Sequence, residues 1–288
     1  SSDVCSSDLL SKTCRGASAF LGAIPTDRSL YISNHDFHMS LRLWLRLPVL
    51  PLFAVPENTP CMCHAHTPLT ELHLLNCNGE ALRDQRHNVL VYCVQDMLVA
   101  TQQNPVHLEP RASTHGHELH RFDLAVSGFG SFSNNLKLDV TVRNPLASHI
   151  VSRAAAARLV AATEAVNEKS ASYARFLAPS DTFMPLAIEA YGGAHHNLFK
   201  LISACAQRCG NIPPESTAYT APTFSSYWLQ RIMCTLWREN CRLITTIIRR
   251  SLSQIGASTW SDLPVPELDD DLVAPASAGA DALEEVRL

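Results

Sequence analysis

The chain has 288 residues, 46% of them hydrophobic, and a formal charge of −4 from 23 Lys and Arg against 27 Asp and Glu, which implies a globular protein with ample core in one large or two small domains. Residues 10–256 hold 22 basic against 17 acidic side chains while the stretch from Ala257 holds 8 acids and one Arg, so the body is mildly basic and phosphate contacts are permitted. The longest apolar run, Leu41 to Val55, is broken by Arg42, Arg46, Pro48 and Pro51, which argues against a membrane span, and no cleavable leader pattern opens the chain.

The first nine residues repeat Ser-Ser-Asp and resemble a translated sequencing-library adapter, so residues 1–9 are set aside from fold reasoning. Residues 10–56 read as an N-terminal helical segment. Ser33 is a helix cap for the run Phe37 to Leu47, closed by Pro48 and Pro51. Arg42 and Arg46 fall on one face of it, a stripe that suits either nucleic acid or plain solvent.

Residues 57–80 carry Cys61-x-Cys63, nine further residues, then His73 and Cys77 four apart. Thiolate and imidazole in that spacing suit tetrahedral zinc in a closed structural site, with His64 and His66 as spare donors and scattered buried cysteines as the bland alternative. The other cysteines are unevenly spaced among the ten present, which favours a reducing compartment. Cys205 and Cys209, one helical turn apart, read as small core residues.

Residues 81–256 follow α/β order. Arg86 and His87 open a helix over Val89 to Val99, and Val106 to Glu109 forms a first strand. His115 to His120 has ordinary loop composition. Two β-forming runs follow, Arg121 to Ser127 and Leu136 to Val142, joined by a Gly/Ser/Asn turn. Each carries one aspartate, Asp123 and Asp139. Carboxylates among Leu, Val and Phe are costly to bury unpaired, so two on adjacent strands point to a shared hard divalent cation. An alanine-rich helix is expected from Ile150 to Leu177, with Lys169 and Tyr173 on one face, then a strand from Phe183 to Tyr191 carrying Glu189 as a third acid near the sheet. Helices over His195 to Cys209 and Phe224 to Leu252 complete the body, and residues 257–288 read as a disordered acidic tail.

Taken in order, the Cys61/Cys63/His73/Cys77 knuckle, Arg86-His87-Asn88, Leu108 to Arg111, Arg121 to Leu124, Leu138 to Val142 and Pro185 to Gly193 resemble the restriction-enzyme-like endonuclease region that follows the reverse transcriptase in certain site-specific non-LTR retrotransposons. The resemblance spans residues 16–250. It implies a PD-(D/E)xK type nuclease: a restriction-endonuclease-like mixed sheet flanked by helices, preceded by the small zinc knuckle. It further implies magnesium-dependent hydrolysis of one DNA strand to prime reverse transcription, with Asp123 and Asp139 as magnesium-binding acids, Lys169 as the cation and Glu109 or Glu189 as secondary acids. Phe122 stands where proline is usual and Thr141 where most nucleases of this fold have lysine. DNA, and element RNA, become the expected partners, with Arg42, Arg46, Arg86 and His87 as contacts, the nucleus as the compartment, and a reverse transcriptase expected upstream. The alternatives are a zinc-containing nucleic-acid-binding module without activity and a fragment of a decayed element.

Overall fold

Val106–Leu108, Leu124–Ser127, Asn135–Arg143 and Asp181–Glu189 form strands β1 to β4 of one mixed sheet, in the spatial order β1-β2-β3-β4. β1, β2 and β3 run antiparallel, and β3 pairs in parallel with β4 along their whole lengths. The last six residues of β4 are all buried, as expected of a parallel strand covered on both faces. Leu136, Leu138 and Val140 of β3 are buried in the alternation that the strand period requires.

The computed structural model describes residues 2–63, 67–77, 79, 81–101, 106–109, 121–129, 135–213 and 221–256. All of these belong to one unit, residues 1–256. The tail from Ala257, the loop His115 to His120, His64, His66 and most of the β2–β3 turn lie outside the described residues.

Eight helices are present among the described residues: α1 (Ser2–Lys12), α2 (Asn34–Leu45), α3 (Glu71–Leu74), α4 (Leu82–Val99), α5 (Val151–Ala156), α6 (Val160–Tyr173), α7 (His196–Arg208) and α8 (Phe224–Gln254). Long α8 starts at a reciprocal cap in which Thr223 Oγ1 accepts from the Ser226 amide and Ser226 Oγ from the Thr223 amide. Its Trp228, Ile232, Leu236, Leu243, Ile244 and Ile247 are buried, as the apolar pattern requires. Trp237 of α8 is fully buried against Phe20 and Trp44, with ring centroids 4.8 and 6.0 Å away.

Residues set aside from the fold reasoning lie in α1, where Ser7 Oγ donates to the Val151 carbonyl at 2.7 Å and Lys12 Nζ to Asp8 at 2.6 Å and the Leu43 carbonyl at 2.8 Å. Two expectations are corrected. The helix bearing His87 begins at Leu82, seven residues before Val89. The single helix from Ile150 to Leu177 is two helices, broken where Ala157 is extended and Leu159 takes φ +60°. The break has a tertiary cause. Buried Glu189, at the end of β4, accepts from the Ala162 amide, so a carboxylate from another element caps the start of α6.

Candidate functional site

Asp123 immediately precedes β2 and Asp139 sits in mid-β3. The ladder ends with Leu124 opposite Leu138, and there the Asp123 amide donates to the Leu138 carbonyl at 3.0 Å, one residue out of step with the register. The Asp123 charge nevertheless acts on Asp139, so the two carboxylates lie near each other. Asp123 also serves the ladder through its side chain: Oδ2 accepts from the Val140 amide at 2.5 Å.

α6 packs over β3 and β4 and brings Lys169 to Asp139. Both carboxylate oxygens lie 3.0 Å from Lys169 Nζ, but only Oδ2 accepts a well-directed hydrogen bond, and buried Oδ1 is left without one. Burial first, then the Asp123 charge, raise the Asp139 carboxyl above its ordinary value, although Lys169 and the Tyr173 hydroxyl pull the other way. Tyr173 donates to the Arg121 carbonyl at 2.6 Å and stacks with Phe122, ring centroids 4.9 Å apart. Phe122 is itself fully buried, and Lys137 Nζ lies 4.7 Å over its ring. Packing on Phe122 thus anchors the residue next to Asp123.

From α4, His87 Nε2 reaches within 3.3 Å of Asp123 Oδ1. Burial alone would lower this imidazole's pKa, but the Asp123 carboxylate outweighs it and the net shift is upward. Asp123, Asp139, Lys169, Tyr173 and His87 therefore form one cluster, drawn from two strands and two helices.

The remaining residues named from sequence go elsewhere. Glu109, at φ +45°, uses its amide to reach the Asp123 carbonyl at 2.9 Å, but its exposed carboxylate pairs with Arg121. Glu189 pairs in register with Arg143, whereas Asp139 pairs with Pro185. Four residues of strand separate Asp139 from that position, about 13 Å, and Glu189 is spent on capping α6. Neither acid joins the pair. Arg86 is 3% exposed and donates to Asn240 Oδ1 at 2.7 Å, which makes it an anchor between α4 and α8 rather than a nucleic-acid contact. Arg42 donates to the Pro48 carbonyl at 2.8 Å, and Arg46 takes the left-handed cap position of α2, 3.5 Å from Asp8. The expected stripe is therefore used in closing its own helix.

Cys61, Cys63, His73 and Cys77 converge, with all four donor atoms within 4.8 Å of one another. The Cys61 and Cys77 sulfurs are 3.5 Å apart, and Cys63 Sγ lies 3.3 Å from His73 Nε2. A short ladder around the loop places the first pair: the Cys61 amide donates to the Thr67 carbonyl and the Leu69 amide to the Thr59 carbonyl. The Thr70 hydroxyl caps α3 and so orients His73, and the Asn76 amide closes a turn onto the His73 carbonyl. Cys77 therefore arrives from a turn rather than from the same helix as His73. Burial raises the Cys61 thiol and pushes Cys77 up to about 12, and lowers His73. Thiolate is the ligand form, so a dication must displace thiol protons to bind. Three sulfurs and one imidazole nitrogen in this spacing can hold a metal such as zinc, whose closed tetrahedral sites have donor separations of roughly 3.4–3.8 Å.

The carboxylate pair has a different donor character. It offers hard oxygen donors, and among the described residues no third acid joins it. No helix among the described residues is long and apolar enough to cross a membrane. No protein-family model matches this chain, and no curated protein matches it.

Proposed function

We propose that this chain is a divalent-metal-dependent DNA endonuclease that nicks one strand of a target duplex, of the restriction-enzyme-like kind that accompanies non-LTR retrotransposon reverse transcriptases. The observation that carries the proposal is Lys169 Nζ at 3.0 Å from Asp139, close enough to Asp123 for the two carboxylates to act on each other. A lysine borne on α6 supplies the cation that Thr141 cannot, so the departure of Thr141 from the nuclease pattern is compensated in space.

In this reading Asp123 and Asp139 hold magnesium, the buried Asp139 Oδ1 being the oxygen without a directed hydrogen bond. A bound divalent cation supplies Lewis acidity, activating water and offsetting charge on the phosphate. Lys169 moves from Asp139 toward the phosphate oxygens as charge develops on them, and its ammonium steadies that charge. His87 holds Asp123 Oδ1 in orientation, and Tyr173 fixes the Arg121 carbonyl and with it the chain entering Asp123.

The test is Asp139→Asn, which keeps shape and removes charge. Magnesium-dependent nicking of supercoiled plasmid is expected to disappear while the circular dichroism spectrum is unchanged. Nicking at the parent rate by a folded Asp139→Asn protein sinks the proposal. Duplex binding without any cleavage by the parent protein would leave the zinc-containing nucleic-acid-binding module instead, which the Cys/His cluster favours.

A further inference from the structure

Beside the carboxylate pair lies a groove of about 310 Å³, bounded by α4, the end of β3 and the segment that follows it. One end is formed by His87, which touches Asp123, and by Thr141, two residues along β3 from Asp139 and on the same face by strand alternation. Leu75 and Asn76 form part of the wall, from the segment that carries Cys77. The groove thus runs from His87, the neighbour of Asp123, toward the segment that carries Cys77.

Its charged lining is basic: Arg83, Arg86, His87, Arg143 and His149 against Asp84. Several of these are committed elsewhere, Arg86 to Asn240 and Arg143 to Glu168. Arg83 and His149 are exposed, and among the described residues neither side chain makes a hydrogen bond or ion pair. Asn144 also lines the groove, with its Oδ1 accepting from the Leu146 amide at 3.0 Å. Phosphate oxygens are suitable acceptors for the two exposed side chains.

We infer that this groove holds the backbone phosphates of the DNA strand flanking the scissile position, on the side of the Cys/His cluster, with Arg83 and His149 as contacts. The inference rests on the nuclease reading for where the scissile phosphate lies. Binding and cleavage are therefore measured separately. A fluorescein-labelled duplex of about 30 base pairs is titrated, in magnesium-free buffer with zinc retained, against Asp139→Asn and against the same protein carrying Arg83→Ala and His149→Ala. The added pair is expected to weaken binding about three- to tenfold near 0.1 M salt and to reduce the slope of log K against log salt by about 1. Lys200→Ala on α7, which lines no part of the groove, is expected to leave the slope alone. A groove variant with the parent affinity and slope overturns the inference even if the wild-type protein nicks DNA, and so does a parent that binds no duplex. Weakened binding by the groove variant, in a protein that never nicks, upholds the groove and removes the nuclease.

Discussion

A single ammonium decides how the carboxylate pair behaves. Lys169 is partly exposed and lies 3.0 Å from a nearly buried Asp139, so it compensates the charge in the resting protein and, on the proposed nuclease reading, competes with a metal cation for the same carboxylate. Removing it has two opposed consequences. Lys169→Met keeps the packing stem and deletes the charge. The maximal nicking rate is expected to fall by about 10²–10³-fold, the usual loss when one group that stabilises developing charge is deleted. The magnesium concentration for half-maximal rate is expected to stay the same or fall, because the competing ammonium is gone. A magnesium titration of initial rates separates the two, and a rise in the magnesium requirement with unchanged maximal rate would remove Lys169 from the chemistry.

Among the elements, the β3–β4 pair is pinned at its start by charge. Lys137 Nζ sits 2.6 Å from Asp181 Oδ2, and the Asn135 amide and the Ala178 backbone N–H reach the same carboxylate. Burial pushes the Asp181 carboxyl upward, but the Lys137 hydrogen bond, the Ala178 amide and Asn135 together outweigh it and hold it below its ordinary 3.8. A carboxyl depressed by folding binds protons more weakly in the native state, so its stabilisation is present above the unfolded pKa and is lost as pH falls through the folded value. Asp181→Asn is expected to cost about 1.5–3 kcal/mol at neutral pH, the range for hydrogen bonds to a charged group. The variant should also lose less stability than the parent on acidification below 3.8. Urea unfolding at several pH values checks this, and parallel acid limbs for the two proteins would contradict it.

At the scale of the whole unit, the Cys/His segment docks on the last helix: the Met62 amide donates to Ser251 Oγ of α8 at 2.9 Å. Metal binding there is therefore coupled to the long helix that packs against α4, which carries His87. Purified protein is expected to contain about one zinc ion per chain, the content of a single closed four-ligand site. Free zinc at about 100 times its Kd adds roughly 2.7 kcal/mol by linkage, which for a unit of this size raises Tm by about 5–10 °C. Elemental analysis and melting with and without chelator measure both quantities. Absence of zinc, with Cys77→Ser melting like the parent, would make the cluster a set of packed thiols.

What the amino-acid order determined alone were the features set by local period and spacing. These are the hairpin strands around Asp123 and Asp139, the cap at Ser33, the buried face of α8, and the Cys61/Cys63/His73/Cys77 grouping whose donors do converge. Period-2 and period-3.6 patterns are written in neighbouring residues, and a knuckle closes over a short loop. Tertiary structure alone decided the rest, because it turns on groups far apart in the chain. Glu189 left the acid site because parallel register carries it four residues beyond Pro185, where it breaks the alanine-rich run by capping α6. Arg86 turned inward because Asn240 of α8 waits for it, and His87 came to Asp123 because α4 lies over β3. No local preference encodes those encounters: each is a long-range contact fixed by which apolar faces the sheet and helices bury together.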